Sequence, residues 1–200
     1  MLKKILGLKD KILDNAVAFN LVRTLTDSRS HNLGIIKKEL AAKKNEKILD
    51  VGCGLGNFSQ AAGWSYVGID MNKSFIKFAN NHYGAENKKF IFMDATKLQF
   101  RDKSFDKSMF ISMLHHFSDD ESEKILKEIK RVTKKYLVVL DLLPTKRPLV
   151  NFIYSMDRGS NIRPAEEQFK LIKKYFKIEK YNKYDALMSS HSLILCKPLK

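Results

Sequence analysis

An open α/β sheet of seven mostly parallel strands, with the last strand antiparallel and helices on both faces, is the fold that this sequence predicts. Three observations predict it. The apolar run Ile48-Leu49-Asp50-Val51 enters Gly52, Gly54 and Gly56 in alternation and leaves through Asn57-Phe58-Ser59 into a helical stretch. From residue 46 to residue 141 short apolar segments alternate with amphipathic ones, the rhythm of strands joined by helices. Acidic or hydroxyl residues close those apolar segments, at Asp70, Asp94, Ser112 and Asp141. Ligands of open α/β sheets sit outside the carboxyl ends of the strands, so these residues converge on one edge of the molecule.

The elements follow in order. Residues 2–22 place Leu2, Ile5, Leu6, Ile12, Leu13, Ala16, Val17 and Leu21 at helical spacing with lysines between, which predicts one or two amphipathic helices with a basic face. Residues 1–45 are thus expected to form a helical lid, with peripheral contact to an anionic membrane as the other use of such a face. The polar run Thr26–Asn32 predicts a turn-rich loop before a helix over 33–43, and Arg29 and His31 are solvated loop residues or contacts to a ligand beneath. A short helix over 57–62 follows the glycine bend, then a strand over 66–69 ending at Asp70. A helix over 73–83 turns Phe75, Ile76, Phe78 and Ala79 inward, and strands follow over 89–93 and 104–112.

Ser118 caps the next helix. Its first turns are acidic and its last turns basic, matching the helix dipole, with Ile125, Leu126, Ile129 and Val132 as its core stripe. Tyr136–Leu140 is continuously apolar, as a strand buried on both faces should be. Residues 144–163 show no clear periodicity and read as a substrate segment carrying Arg147, Tyr154, Asp157, Arg158 and Gly159, or as a hidden short helix. Pro164 opens a last helix with Phe169, Ile172 and Phe176 inward, and residues 177–184 and 189–196 pair as a hairpin.

The glycine bend has two readings. A dinucleotide fingerprint needs a third glycine at position 57, where Asn57 stands. The pattern is instead Asp-x-Gly-x-Gly-x-Gly from Asp50 to Gly56; the acid would repel a pyrophosphate, yet it can hold an ammonium or its bound water. A purely structural tight turn needs the same glycines. The acid-led pattern resembles the first motif of the class I S-adenosylmethionine-dependent methyltransferases, and Leu114-His115-His116 resembles a segment of their small-molecule type. The resemblance covers roughly residues 46–141 and implies a Rossmann-like single domain: a cofactor-binding core over 46–141, then a substrate segment and hairpin over 142–200. Residues 133–136 depart from the family's Lys-Pro-Gly-Gly turn, which shortens that turn.

The resemblance implies S-adenosylmethionine as cofactor, held by Asp50, Gly52, Cys53, Gly54, Gly56, Asp70, Met71, Asp94, Ala95 and Ser112. Asp70 follows the first glycine by 18 residues and ends the second strand, where its two oxygens can accept both ribose hydroxyls. Met71 can lie on adenine, while Asp94 takes the adenine amine and the Ala95 N–H meets a ring nitrogen. A methyl group already made electrophilic needs a nucleophile held in line, and a base only where that nucleophile is a hydroxyl or an acidic carbon. His116 is the first choice for that base and His115 the second, with Asp141 as the orienting acid; both rings would equally serve to line the cavity. Adjacent histidines cannot both face one centre, so no metal is expected.

Composition narrows the partner. Of 37 basic residues only seven are Arg, and the net charge is +15. Phosphate and base reading favours Arg forks, so scattered lysines weigh against nucleic acid without excluding it. Neither an Asn/Asp-Pro-Pro-aromatic tetrapeptide nor a Pro-Cys nucleophile is present. A small molecule is therefore the expected substrate; RNA or a translation component, or a catalytically inactive cofactor-binding module, is the alternative. The two cysteines, Cys53 and Cys196, build no disulfide framework, and no stretch reaches about 18 apolar residues, which points to the cytoplasm.

Overall fold

A computed structural model describes residues 29–156, 161–186 and 189–200. Of the helical lid expected over residues 1–45, residues 1–28 lie outside the described residues. Seven strands form one sheet: β1 (Lys47–Val51), β2 (Ser65–Asp70), β3 (Lys88–Phe92), β4 (Phe105–Ile111), β5 (Thr133–Leu142), β6 (Phe176–Ala186) and β7 (Ser189–Pro198). Their order is β3-β2-β1-β4-β5-β7-β6. β7 alone is reversed, pairing antiparallel with both β5 and β6, so the expected fold class is the one observed. Between β1 and β4 the strand order reverses direction, and that switch point is where a ligand crevice opens.

Alternation along each strand divides the core between two faces. Leu49, Val51, Phe110, Leu137 and Val139 face one side, against helices α3 (Asp119–Val132) and α5 (Ala165–Lys173). Ile48, Tyr66, Met109, Val138 and Leu140 face the other, against α1 (Arg29–Leu40) and α2 (Lys73–Tyr83). The helix starts are chemically fixed. Asn72 caps α2 by accepting from the Ser74 and Phe75 N–H groups at 2.9 and 3.2 Å. Ser118 and Glu121 cap each other's backbone at the start of α3, as the sequence indicates.

Three boundaries differ from expectation, and in the segment 144–163 the second of the two readings, a short helix, is present. α1 begins at Arg29, so His31 and Asn32 are helical rather than part of a loop; Asn32 is buried and its amide oxygen accepts from Tyr184 Oη at 2.9 Å. The turn before β5 is absent: Thr133 both ends α3 and starts the strand, because its buried hydroxyl bonds Ser108 Oγ at 2.6 Å and draws the chain straight into the sheet. The segment 144–163 contains a helix, α4 (Pro148–Met156). Phe176 belongs to β6 rather than to the preceding helix, whose inward residues are Gln168, Leu171 and Ile172.

The amino end of the sheet is closed by charge pairs. Lys107, 7% exposed, donates its ammonium to the Leu40 and Ala41 carbonyls at 2.8 and 2.9 Å and to Glu46 Oε2 at 2.9 Å. Lys135 joins Glu46 at 2.9 Å and Asp106 at 3.1 Å. Burial alone would raise the Glu46 carboxyl. The Lys43 N–H and the two ammonium groups outweigh burial and lower it to about 2.

Candidate functional site

At the opposite end, the Gly52 and Cys53 N–H groups both donate to Ile69 O at 2.9 Å, pulling the bend after β1 across the end of β2. Gly52, Gly54 and Gly56 all have positive φ, at 76, 54 and 80°, where a side chain is strained. They differ in surroundings. A Cβ on Gly52 would strike the Met113 side chain at 2.5 Å, and one on Gly56 would strike the Phe90 ring at 2.6 Å. A Cβ on Gly54 would meet nothing within 4 Å. Gly56 is thus a packing glycine, whereas Gly54 bares its backbone to open space.

Asp70 ends β2 and aims at that bare backbone. Its Oδ2 accepts the Gly54 N–H at 2.9 Å, and its Oδ1 accepts the Asn72 N–H at 2.8 Å. Burial raises this carboxyl, while the N–H groups of Asn72, Gly54 and Met71 pull it back. Each carboxylate oxygen has a second acceptor position, so the group can hold the bend and still take two ligand hydroxyls. Met71, next along, is 63% exposed. Phe92, which lies opposite Asp70 in the β2–β3 register and is exposed, stands beside it; the sequence reading missed this ring. Asp94 Oδ1 accepts the Thr96 N–H and hydroxyl, both at 2.8 Å, and Ala95 is half-buried. An adenosine's edge and hydroxyls fit this donor set: an open glycine backbone, one carboxylate with spare acceptors, and two exposed apolar side chains.

Asp50 is placed differently. It is 1% exposed and accepts Tyr66 Oη at 2.7 Å; burial raises it to about 7 against the pull of that hydroxyl, and the Asp70 charge adds to the rise. It is enclosed behind the bend. Cys53 beside it is buried, with its thiol pushed well above the ordinary range by burial and by both carboxylates. Tyr66 is a second residue that the sequence did not single out; its hydroxyl could be matched to Asp50 only once β1 and β2 were paired.

Across the switch point, Ser112 follows β4 directly with φ 52°, a left-handed backbone unusual for a residue with a side chain, and its N–H donates to Leu140 O at 2.7 Å. That reversal throws the chain into a single 3-10 turn, Leu114–His116. His115 is buried. Its Nδ1 lies 2.5 Å from Asp141 Oδ1 and its N–H donates to Asp141 Oδ2 at 3.2 Å. Burial would raise Asp141, yet the His115 imidazole, the Leu142 N–H and the His116 imidazole together hold it below the usual carboxylate range. Asp141 therefore bonds His115, the second of the two histidines named from sequence. His116, the first, is half-buried with its ring 4.2 Å from that of His115.

Arg163 holds the turn in place, and nothing in the unpatterned segment around it signalled that. Its guanidinium, 7% exposed, donates to Leu114 O at 3.0 Å, Phe117 O at 2.8 Å and Asp119 at 2.7 Å. Gln168 in turn donates to Arg163 O at 3.0 Å. Arg147 and Tyr154, expected to meet substrate, bond the tip of the β6–β7 hairpin: Arg147 donates to Ala186 O at 3.0 Å, and Tyr154 Oη accepts the Ser190 N–H at 2.9 Å. Asp157, Arg158 and Gly159 lie outside the described residues. Among the described residues no group of three or more His, Cys, Asp or Glu is placed to hold a metal ion, and no helix is long and apolar enough to cross a membrane.

A family model described as a methyltransferase domain matches residues 49–139. Residues 49–139 thus correspond to a methyltransferase domain. The match runs from β1 into β5 and takes in the glycine bend, Asp70, Asp94, Ser112 and both histidines, ending just before Asp141. The chain is 29% identical over 140 residues to the uncharacterized methyltransferase YcgJ of Bacillus subtilis, covering 66% of this chain and 54% of that protein. It is 33% identical over 111 residues to the demethylmenaquinone methyltransferase of Thermotoga maritima, covering 51% and 47%. The chain thus spans about half the length of these curated relatives. Among solved structures, magnesium protoporphyrin IX methyltransferase of Synechocystis PCC 6803 with bound SAH shares the fold of the methyltransferase domain, with a TM-score of 0.72, 16% identity, and coverage of 98% and 100%.

Proposed function

We propose that this protein methylates an oxygen, nitrogen or carbon nucleophile of a small molecule, with S-adenosylmethionine held across the ends of β1, β2 and β3. The observation that carries the reading is the Asp70 carboxylate bonded to the Gly54 N–H beside a backbone with open space in front of it. S-adenosylmethionine supplies a methyl group made electrophilic by its sulfonium. The chain's own residues supply position. Asp70 accepts the two ribose hydroxyls, Met71 and Phe92 flank adenine, and Asp94 and the Ala95 N–H meet its polar edge. The bared backbone at Gly54 receives the methionine end, with the Met113 thioether packed close on Gly52 behind it.

For a hydroxyl or carbon acid, the departing proton passes to the histidine turn. His115 is buried against Asp141, whereas His116 is half-buried and the more exposed of the two. His116 is therefore the base, with His115 and Asp141 as the pair that stabilises its charge. The small-molecule assignment rests on relatives such as the demethylmenaquinone enzyme and on the absence of the amino-group tetrapeptide.

Calorimetric titration tests the reading. S-adenosylmethionine and its demethylated product should both bind, and Asp70→Ala should weaken them at least about tenfold by removing charge-assisted hydrogen bonds. A full-length protein that binds neither compound would overturn it. Substrate class is read by labelled methyl transfer to a panel of phenols, quinols and amines against bulk RNA; label entering only RNA would favour the RNA alternative. With a hydroxyl substrate, His116→Ala should lower kcat about a hundredfold and remove the acid limb of the pH profile. With an amine substrate it should do neither.

A further inference from the structure

The amino end of the sheet, opposite the cofactor site, carries a second feature that methyl transfer does not use. The turn before β1 reads Lys43-Lys44-Asn45-Glu46-Lys47, and its three lysines are exposed. Its one acid is not on the surface: Glu46 is buried, turned inward onto Lys107 and Lys135. This leaves a cationic rim. The turn packs on the start of β2, where the Cβ position of Gly63 lies 3.7 Å from Ala42, and the next residue, Trp64, is 58% exposed. The Lys44 ammonium sits 5.7 Å from the indole centre. Strand register sets Lys47 beside Ser65, and Lys88 beside Tyr66, so the rim continues onto β3, where Lys89 is exposed. The turn before β3 adds one acid, Glu86, against these five lysines.

We infer that this rim is a docking surface for single-stranded nucleic acid, with Trp64 as its stacking platform. An exposed indole with the Lys44 ammonium against it and further lysines on the neighbouring turn and strand starts matches what an unstacked base and its flanking phosphates require: a π-face for the base and point charges for the backbone. A duplex keeps its bases stacked and offers no face to the ring. A membrane is the weaker fit, because it needs several apolar insertions or a lipid chain, and this rim presents a single large ring. Adjacent strand starts lie about 4.8 Å apart, so the first residues of β1 and β3 lie roughly 10 Å apart on either side of the start of β2, with the Lys47 ammonium itself resting over the Phe105 ring at 4.9 Å. Because the rim is at the far pole from Asp70 and the histidine turn, it holds the strand without presenting it for methylation, and the inference stands independently of the methyl acceptor.

Trp64 is the chain's one tryptophan, so its fluorescence reports directly on the surface. Titration of the full-length protein with a uridine oligonucleotide of about twelve residues should quench that signal saturably. With about five lysines engaged, log affinity should fall against log salt with a slope of about −3.5, roughly a hundredfold weakening between about 50 and 200 mM. By polarisation of a labelled oligonucleotide, Trp64→Ala should weaken binding about tenfold with the slope kept, while Lys43→Glu/Lys44→Glu/Lys89→Glu should abolish it with the melting midpoint held within a few degrees. No quenching by the oligonucleotide overturns the inference. So does a stronger, blue-shifted response to phosphatidylserine vesicles, which assigns the rim to a membrane. Undiminished binding by Trp64→Ala, matched by inorganic polyphosphate, also overturns it, since charge alone would then account for the contact.

Discussion

The two ends of the sheet bury acids in opposite ways. At the amino end Glu46 meets two ammonium groups and is lowered to about 2; at the carboxyl end Asp50 meets one hydroxyl and is raised to about 7. Burial pushes both carboxyls upward, and it prevails at Asp50, where only a hydroxyl opposes it, but not at Glu46, where an N–H and two ammonium groups do. Among the described residues, Asp70 and Asp94 pair with no lysine or arginine, and they answer instead to N–H groups and a hydroxyl. An acid matched by a cation inside the protein is structurally complete, whereas acids satisfied only in part by backbone donors keep acceptor capacity for a ligand. That difference separates the closed floor of this molecule from its open mouth.

Breaking the floor should have the largest effect. Lys107→Met strips Glu46 of a buried partner and leaves two carbonyls at the end of α1 without their donor, and should cost about 3–5 kcal/mol by denaturant titration. Cofactor affinity of the remaining folded protein should be unchanged. A loss below about 1 kcal/mol would show that the amino end is not held by its charges.

Asp70→Asn tests the mouth. It keeps the size of the side chain while removing its charge, and should weaken S-adenosylmethionine at least about tenfold, with stability within about 1 kcal/mol of the parent. A stability loss as large as that of Lys107→Met would erase the distinction between the two ends.

The pH dependence sharpens it. Glu46, lowered in the fold, contributes stability that is present above about pH 4.5 and lost as pH falls toward about 2. Asp50, raised in the fold, holds a proton that the unfolded chain has given up, so stability declines as pH rises from about 4 to about 7 and is level above that. Asp50→Asn should remove that decline and raise stability at pH 8 by about 2 kcal/mol, whereas Glu46→Gln should remove the acid limb. Denaturation midpoints across pH separate the two.

The smallest effect lies within the glycine bend. Gly54→Ala should cost about 1 kcal/mol for its left-handed backbone alone, and Gly56→Ala should cost more because its Cβ meets the Phe90 ring. Equal losses would mean that the two glycines share one role.

Much of this was legible in the chain. The Asp50–Gly56 pattern, the 18-residue step to Asp70, the Ser118 cap with the acidic turn behind it and the apolar run into Asp141 each announce an element or a site position, because each depends on neighbours or on a short period. Arg163 announced nothing. It works through carbonyls 49 and 46 residues away, at Leu114 and Phe117, and backbone carbonyls carry no sequence signature. The pairing of Asp141 with His115 rather than His116 was equally unreadable: one residue of rotation in the turn after Ser112 decides it, and that rotation is set by the Ser112 N–H reaching Leu140 O.

The sequence by itself determined the order of strands and helices, the glycine bend and which acids end which strands, since periodicity and backbone permissiveness are local properties. Only the tertiary structure decided which of those acids stay available. Asp50 is closed off by Tyr66 and Asp141 by His115, while Asp70 keeps acceptors beside an open backbone. The reason is that a carboxylate's state depends on the donors brought to it across the sheet, and strand register, not sequence distance, brings them.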